Sequence, residues 1–463
     1  MALALVTGAA ALLRFFRLGT PFSLVFDERY YIEEACSYAT WLALTCAERI
    51  HTIAHPPLAK WLIVSGMTVF GHNPIGWRVT AAAAGTVTVA LVYLVGRRLL
   101  RSTWSATLAA GLLAIDLLHL IHSRLAMLDV FLTMFATAAV VCCVFDLSGA
   151  TAAAGRSAAL RENRSWMRPW RILAGVALGA AVASKAPGVL TLVTVVVITL
   201  AAAWDRSRKA GWSQTLVQVL REQGMSVAVW LVALPLAVYA LAHVGTISGS
   251  WIAWPWDKGA WLNEFWTNQR ASVRVHAALD QSHIFRSEPW FWFSSRPPLI
   301  YYFGSVGDSA YQMIIGVGNP IAWWFAIPAL FYTAARATRV PQIASPEGII
   351  VLGFVFAYAP WLAVGGTRTT FLYYILPALP LMCLALALTA SVLARSRVGR
   401  VLAAIWMLAL GGTTVFAYPL VSAGRVDLGS WRTVMGIARP DDRPNCDAPI
   451  HEKAGPTDRP SNC

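Results

Sequence analysis

The run ILAGVALGAAVASKAPGVLTLVTVVVITLAAAW, residues 172–204, carries a single charge, Lys185, between two uninterrupted apolar stretches. A helix needs roughly 20 apolar residues to cross the hydrocarbon core of a bilayer. The two stretches on either side of the lysine predict two spans, near 171–184 and 186–204, divided at Ser184-Lys185. Working outward, the same pattern predicts further spans near 1–18, 76–95, 104–121, 126–145, 226–246, 311–333, 348–364, 370–391 and 401–418. The composition agrees. Of 463 residues, 57% are hydrophobic and 13% charged, whereas a soluble domain carries roughly 25% charged residues. A soluble globular protein is excluded, and the expected fold class is an all-α polytopic membrane protein of about eleven transmembrane helices with interfacial helices outside the bilayer.

A net charge of +14 would suggest nucleic acid in a soluble protein, but here the basic residues sit at span ends. With the N-terminus inside, the cytoplasmic loops hold Arg97, Arg98, Arg101, then Arg156, Arg161, Arg164, Arg168, Arg171, then Arg206, Arg208, Lys209, Arg221, then Arg336, Arg339, then Arg395, Arg397, Arg400. Against these stand only Asp146, Glu162, Asp205, Glu222 and Glu347. The positive-inside rule then fixes one orientation, with 19–75, 247–310 and the tail from 419 on the extracytoplasmic face of the cell membrane. The first span lacks a basic n-region and a small-residue cleavage site, so it reads as a membrane helix rather than a signal peptide, and its abrupt start suggests a missing cytosolic tail. Residues 1–418 are expected to form one transmembrane domain. The tail, 419–463, is rich in Pro, Asp and Asn and is expected to be poorly ordered. Cys36 and Cys46 could pair if exported, although spacing alone says little.

Chemistry-bearing residues gather on that outer face. Val25-Phe26-Asp27-Glu28-Arg29-Tyr30-Tyr31 places two carboxylates where the first span leaves the membrane, and the stretch 28–44 alternates faces as an interfacial helix would, with Glu33, Glu34 and Ser37 on its polar side. His55-Pro56-Pro57-Leu58-Ala59-Lys60 sets an extended segment before a helix near Leu58. Arg78 opens the second span, and Asp116 and Asp129 interrupt apolar runs around His119, His122 and Arg124. A charge at the centre of a span costs roughly 3 kcal/mol on insertion scales, so Asp129 and Lys185 need partners, and an anionic lipid phosphate would satisfy the lysine. Finally, Ser287-Glu288-Pro289-Trp290-Phe291-Trp292 leads into Pro297-Pro298-Leu299-Ile300-Tyr301-Tyr302. An interfacial aromatic belt explains the Trp residues, and sugar or headgroup contact explains the polar groups among them as well.

Taken in order, Phe26-Asp27-Glu28, His55 to Lys60, Arg78, Arg124 to Asp129, Lys185 and Ser287 to Trp292 resemble the polyprenyl- or dolichyl-phosphate-mannose protein O-mannosyltransferases across about two thirds of the chain. The resemblance implies a GT-C glycosyltransferase that moves mannose, with inversion, from a lipid phosphate to Ser or Thr hydroxyls of exported polypeptides, with the secretion translocon as a further partner and no nucleic acid. It implies Asp27 and Glu28 as catalytic residues. Arg78, Lys185, Arg124, Asp129, His55 and Lys60 would hold the donor, and Ser287, Trp290 and Trp292 the acceptor. Ala59 stands where the family usually has Gly, and 251–310 is too short for the β-trefoil module of eukaryotic members, which points to a bacterial type.

The chemistry needs little else. Polyprenyl phosphate is already a good leaving group, so cations suffice for its departure, whereas the acceptor hydroxyl needs one base. Asp27, the shorter carboxylate and the one the resemblance makes catalytic, is the expected base. No Asp-x-Asp metal motif is found in a loop, and no metal or cofactor is expected. Two rivals remain: a sister GT-C enzyme that glycosylates a lipid or polysaccharide, and a transporter of lipid-linked sugar whose charges would line a path open to both faces.

Overall fold

The computed structural model describes residues 1–38, 54–153, 168–207, 212–243, 261–277, 285–306 and 310–427. In chain order the elements are α1 (Ala2–Phe15), α2 (Glu28–Tyr38), α3 (Leu58–Phe70), α4 (Pro74–Leu100), α5 (Thr103–Ala114), α6 (Leu117–His122), α7 (Leu128–Ala153), α8 (Pro169–Ser184) and α9 (Gly188–Ser207). They continue with α10 (Trp212–Val227), a π-helical turn (Ala228–Ala233), α11 (Leu234–Ala242), α12 (Trp261–Ala277) and a 3₁₀ turn (Pro289–Ser294). Strands β1 (Leu299–Val306) and β2 (Ala310–Gly316) follow, then α13 (Pro320–Arg339), α14 (Pro346–Val364), a 3₁₀ segment (Leu372–Ala378), α15 (Leu379–Leu393), α16 (Arg397–Val421) and β3 (Arg425–Asp427).

Seven helical stretches among the described residues are long and apolar enough to cross a membrane, and α1, α3, α5 and α8 are shorter apolar helices. The helices start where capping chemistry dictates. Asn73 accepts from the backbone N–H groups of Ile75 and Gly76 ahead of Pro74, and Ser102, Asp116, Ser345 and Ser396 cap their own helices in the same way. The long run that opened the sequence divides as expected: α8 ends at Ser184, Lys185 is extended, and α9 begins at Gly188. Helix α8 packs on α7 and α11. Its Gly175 and Gly179 face the Trp230 and Pro235 carbonyls so closely that a Cβ at either position would clash, a small-xxx-small contact suited to packing in lipid.

The structure corrects three expectations. The span expected at 311–333 begins instead as strand β2, and the helix starts only at Pro320; β1, β2 and β3 form an antiparallel sheet in that order, so the fold is not purely helical. The span expected at 104–121 breaks at Asp116, whose carboxylate caps α6. The tail does not leave the body at 419, because α16 runs to Val421 and β3 pairs with β2; residues 428–463 lie outside the described ones. Helix α2 forms where an interfacial helix was expected, and its polar-side residues Glu34 and Ser37 are buried. Cys36 is disulfide-bonded, and its candidate partner Cys46 lies outside the described residues.

Candidate active site

The loop between α1 and α2 is held by one buried ion pair. The Arg78 guanidinium donates from Nε to Glu28 Oε1 at 2.8 Å and from Nη2 to Oε2 at 2.7 Å, and both side chains are fully buried. Its remaining N–H groups reach the carbonyls of Leu18, Pro21 and Ser23, while the Glu28 carboxylate also accepts from the backbone of Val25 and Ala126. Every Arg78 donor is therefore taken. A bidentate pair of this kind fixes geometry as well as energy, and here it moulds the loop that carries Asp27.

Phe26 sits in the left-handed region, φ 51°, a conformation a bulky residue adopts only when its surroundings impose it. Its ring meets Tyr301 edge-on at 5.1 Å and Tyr373 at 6.5 Å. Asp27, next in the chain, is thereby turned away from Glu28. Asp27 Oδ2 accepts from the Tyr31 hydroxyl at 3.1 Å. Burial pushes the Asp27 carboxyl up to about 6, against the lowering pull of the Lys185 ammonium and the Tyr31 hydroxyl.

Lys185 lies where α8 gives way to α9. Its Nζ donates to both oxygens of Asp129 at 2.8 Å and faces the rings of Tyr373 and Tyr374 at 5.1 and 5.2 Å. On the opposite side, the His55 ring packs edge-on against Tyr31 and His276, and burial with the nearby Lys185 charge keeps it neutral, well below the ordinary histidine range. His122 Nε2 is 2.6 Å from the Tyr301 hydroxyl. Arg368, between α14 and the 3₁₀ segment, acts electrostatically on His55 and His276, and its Nε is buried with no hydrogen-bond partner among the described residues.

Asp27, Asp129, Lys185 and His55 thus lie close together. Three of the expected phosphate partners are engaged elsewhere. Arg78 holds Glu28; Lys60 pairs with Glu34 at 2.7 Å and donates to the His55 carbonyl; and Arg124 donates to the carbonyls of Leu13, Arg14, Phe16 and Arg17, capping the end of α1. Of the expected acceptor contacts, Ser287 and Trp292 are buried and fasten the aromatic loop: Ser287 and Thr370 exchange hydrogen bonds, and the Trp292 indole donates to the Ser287 carbonyl. Trp290 remains exposed. Sequence reasoning missed Tyr31, Tyr373 and Tyr374 around Asp27 and Lys185, and His276 and Arg368 around His55, because their meeting depends on packing between distant helices.

Below this cluster an apolar groove runs between helices. It is lined by Thr137 on α7, Thr191 on α9, Gly353 and Ala357 on α14, Pro377 in the 3₁₀ segment and Leu384 on α15. Thr137 follows Asp129 along α7 by about two turns, Thr191 follows Lys185 near the start of α9, and Pro377 follows Tyr374 in the 3₁₀ segment, so the groove shares these elements with the charged cluster.

The Dolichyl-phosphate-mannose-protein mannosyltransferase family matches residues 4–247, and the C-terminal four-transmembrane region of protein-O-mannosyltransferase matches residues 261–427. The chain is 29% identical over 417 residues to a polyprenol-phosphate-mannose–protein mannosyltransferase of Mycolicibacterium smegmatis, covering 83% of this chain and 80% of the relative. It is 30% identical over 408 residues to the Mycobacterium tuberculosis protein of the same name, covering 80% and 76%. In fold it resembles the S. cerevisiae protein O-mannosyltransferase Pmt1-Pmt2 complex bound to the sugar donor, with a TM-score of 0.71 at 14% identity over 91% of this chain and 90% of that one. It also resembles ArnT from Cupriavidus metallidurans bound to undecaprenyl phosphate, with a TM-score of 0.53 at 16% identity over 94% and 75%.

Proposed function

Because this chain belongs to the dolichyl-phosphate-mannose-protein mannosyltransferase family, we propose that it transfers mannose from a polyprenyl-phosphate donor to Ser or Thr hydroxyls of polypeptides, with Asp27 as the base. The observation that carries this reading is one carboxylate, raised to about 6 and facing the charge of a lysine ammonium, with an arginine near His55 whose buried Nε has no hydrogen-bond partner among the described residues. A base poised near neutrality suits proton abstraction from a hydroxyl.

In the proposed step the acceptor hydroxyl gives its proton to Asp27 while its oxygen bonds to C1 of mannose from the face opposite the phosphate. The C1–O bond to the phosphate breaks, its electron pair leaves with the polyprenyl phosphate, and the configuration at C1 inverts. Lys185 and Arg368 stabilise the charge that develops on the departing oxygens. Asp129 fixes the lysine, and the groove receives the first prenyl units of the donor. Trp290 and Phe291 are exposed aromatic residues of the 287–292 loop, and Trp290 is the one proposed to meet an acceptor.

Lys185→Met and Arg368→Gln are expected to raise the donor KM and lower kcat together by about tenfold or more, since charge-assisted bonds to phosphate strengthen as the bond breaks. Steady-state kinetics with the acceptor saturating checks this, and unchanged donor kinetics in both variants would remove the phosphate from this site. The proposed orientation puts α12 outside the cell and α10 at the inner face. In a background without reactive cysteines, Thr267→Cys is expected to react with an impermeant thiol reagent in intact cells and Ser213→Cys only after lysis. The reverse pattern would place the chemistry on the cytoplasmic side. Delivery of the acceptor by the secretion translocon accords with this orientation.

A further inference from the structure

Helix α12 has two unlike faces. Its inner face is built into the protein: Phe265 meets His243 edge-on at 5.3 Å, Gln269 accepts from the Tyr239 hydroxyl at 2.5 Å, Ser272 donates to the Ala54 carbonyl at 3.2 Å, and His276 packs against His55 at 5.4 Å. The outer face carries Leu262, Trp266 and Val273, which are 66%, 58% and 69% exposed. At 100° per residue these three fall within one narrow arc, and Arg270 and Arg274 fall on the arc beside it. Both arginines are exposed, and neither has an acidic partner among the described residues.

The height of this helix is set by its neighbours. Tyr239 and His243, which hold it, stand at the end of the apolar stretch Trp212–Ala242, the end that the proposed orientation puts at the outer membrane surface. An apolar arc flanked by arginines at that level matches an amphipathic helix lying in the bilayer interface, its aromatic and aliphatic side chains among acyl chains and its guanidinium groups at the phosphates. We propose that α12 docks on anionic phospholipid headgroups of the leaflet at its own side, and that this docking seats His276 against His55 and so supports the Tyr31–Asp27 pair. A polypeptide surface would not call for an apolar arc at bilayer height, and the charge of the flank selects anionic over zwitterionic lipid.

The test uses the full chain in nanodiscs of phosphatidylcholine alone or with phosphatidylglycerol, at constant ionic strength and a fixed mole fraction of donor. Transfer is expected to rise severalfold with phosphatidylglycerol. The double variant Arg270→Gln/Arg274→Gln is expected to lose that rise while matching the wild-type rate in phosphatidylcholine alone. Native mass spectrometry of protein released from the mixed discs is expected to show retained phosphatidylglycerol, about fivefold weaker for each arginine removed. Equal lipid retention by wild type and variant would overturn the proposal. So would a variant whose acceptor KM rises in both lipids with retention unchanged, which would make α12 a polypeptide surface. Retention needs no chemistry, so it decides the lipid proposal even if no product forms and the transferase reading fails.

Discussion

Asp27→Asn is expected to lower transfer at least about a hundredfold, the low end of what one general base contributes, with expression, thermal stability and donor binding preserved. The substitution keeps the size of the side chain and its place near the Tyr31 hydroxyl and removes only basicity. The sign of the pH dependence follows from the raised carboxyl. Burial lifts Asp27 to about 6, so it is protonated and inactive below that pH and anionic above it. The wild-type kcat/KM is expected to fall about tenfold per pH unit below pH 6 and to level off above it, while the residual rate of Asp27→Asn shows no such limb. A pH profile of the variant that retained the limb would assign the titration, and the base, to another group.

Glu28→Gln is expected to damage a different property. Glu28 and Arg78 are both buried and bidentate, and three loop carbonyls and two backbone N–H groups depend on them. Breaking one side of a buried pair leaves an uncompensated charge and costs roughly 3–5 kcal/mol. The expected result is loss of folded yield and a lower Tm in detergent, far beyond any change in Asp27→Asn. Arg78→Met should fall in the same class. If Glu28→Gln folded with wild-type stability yet lost turnover, the roles of the two carboxylates would be exchanged.

These two variants also show where the sequence was legible. A charge in an apolar run stands out because lipid makes it expensive, and Asp129 and Lys185, so identified, prove to be each other's partners. The adjacency of Asp27 and Glu28 was equally visible, but not that the left-handed Phe26 sends one carboxylate to Tyr31 and the other to Arg78. Arg78, Lys60 and Arg124 look like Lys185 in sequence, each a cation beside an apolar stretch. Only the packed structure shows them engaged with Glu28, Glu34 and the carbonyls at the end of α1, and shows Arg368 with a buried Nε that has no partner among the described residues. Strand β2 was hidden for another reason: Tyr-Gln-Met-Ile-Ile is as hydropathic as the start of a helix, and hydropathy alone does not separate a short buried strand from one.

The reading as a whole rests on a peptide hydroxyl being the acceptor and a lipid phosphate the leaving group. The direct measurement is to incubate the purified chain in lipid with polyprenyl-phosphate-mannose and a Ser/Thr-rich peptide, then identify the product by mass spectrometry and its anomeric configuration by NMR. The account predicts mannose bound through oxygen to the peptide hydroxyl, with configuration opposite to that of the donor, made by wild type and not by Asp27→Asn. An unmodified peptide beside a mannosylated lipid or glycan, retention of configuration, or efficient use of a nucleotide sugar in place of the lipid would contradict it.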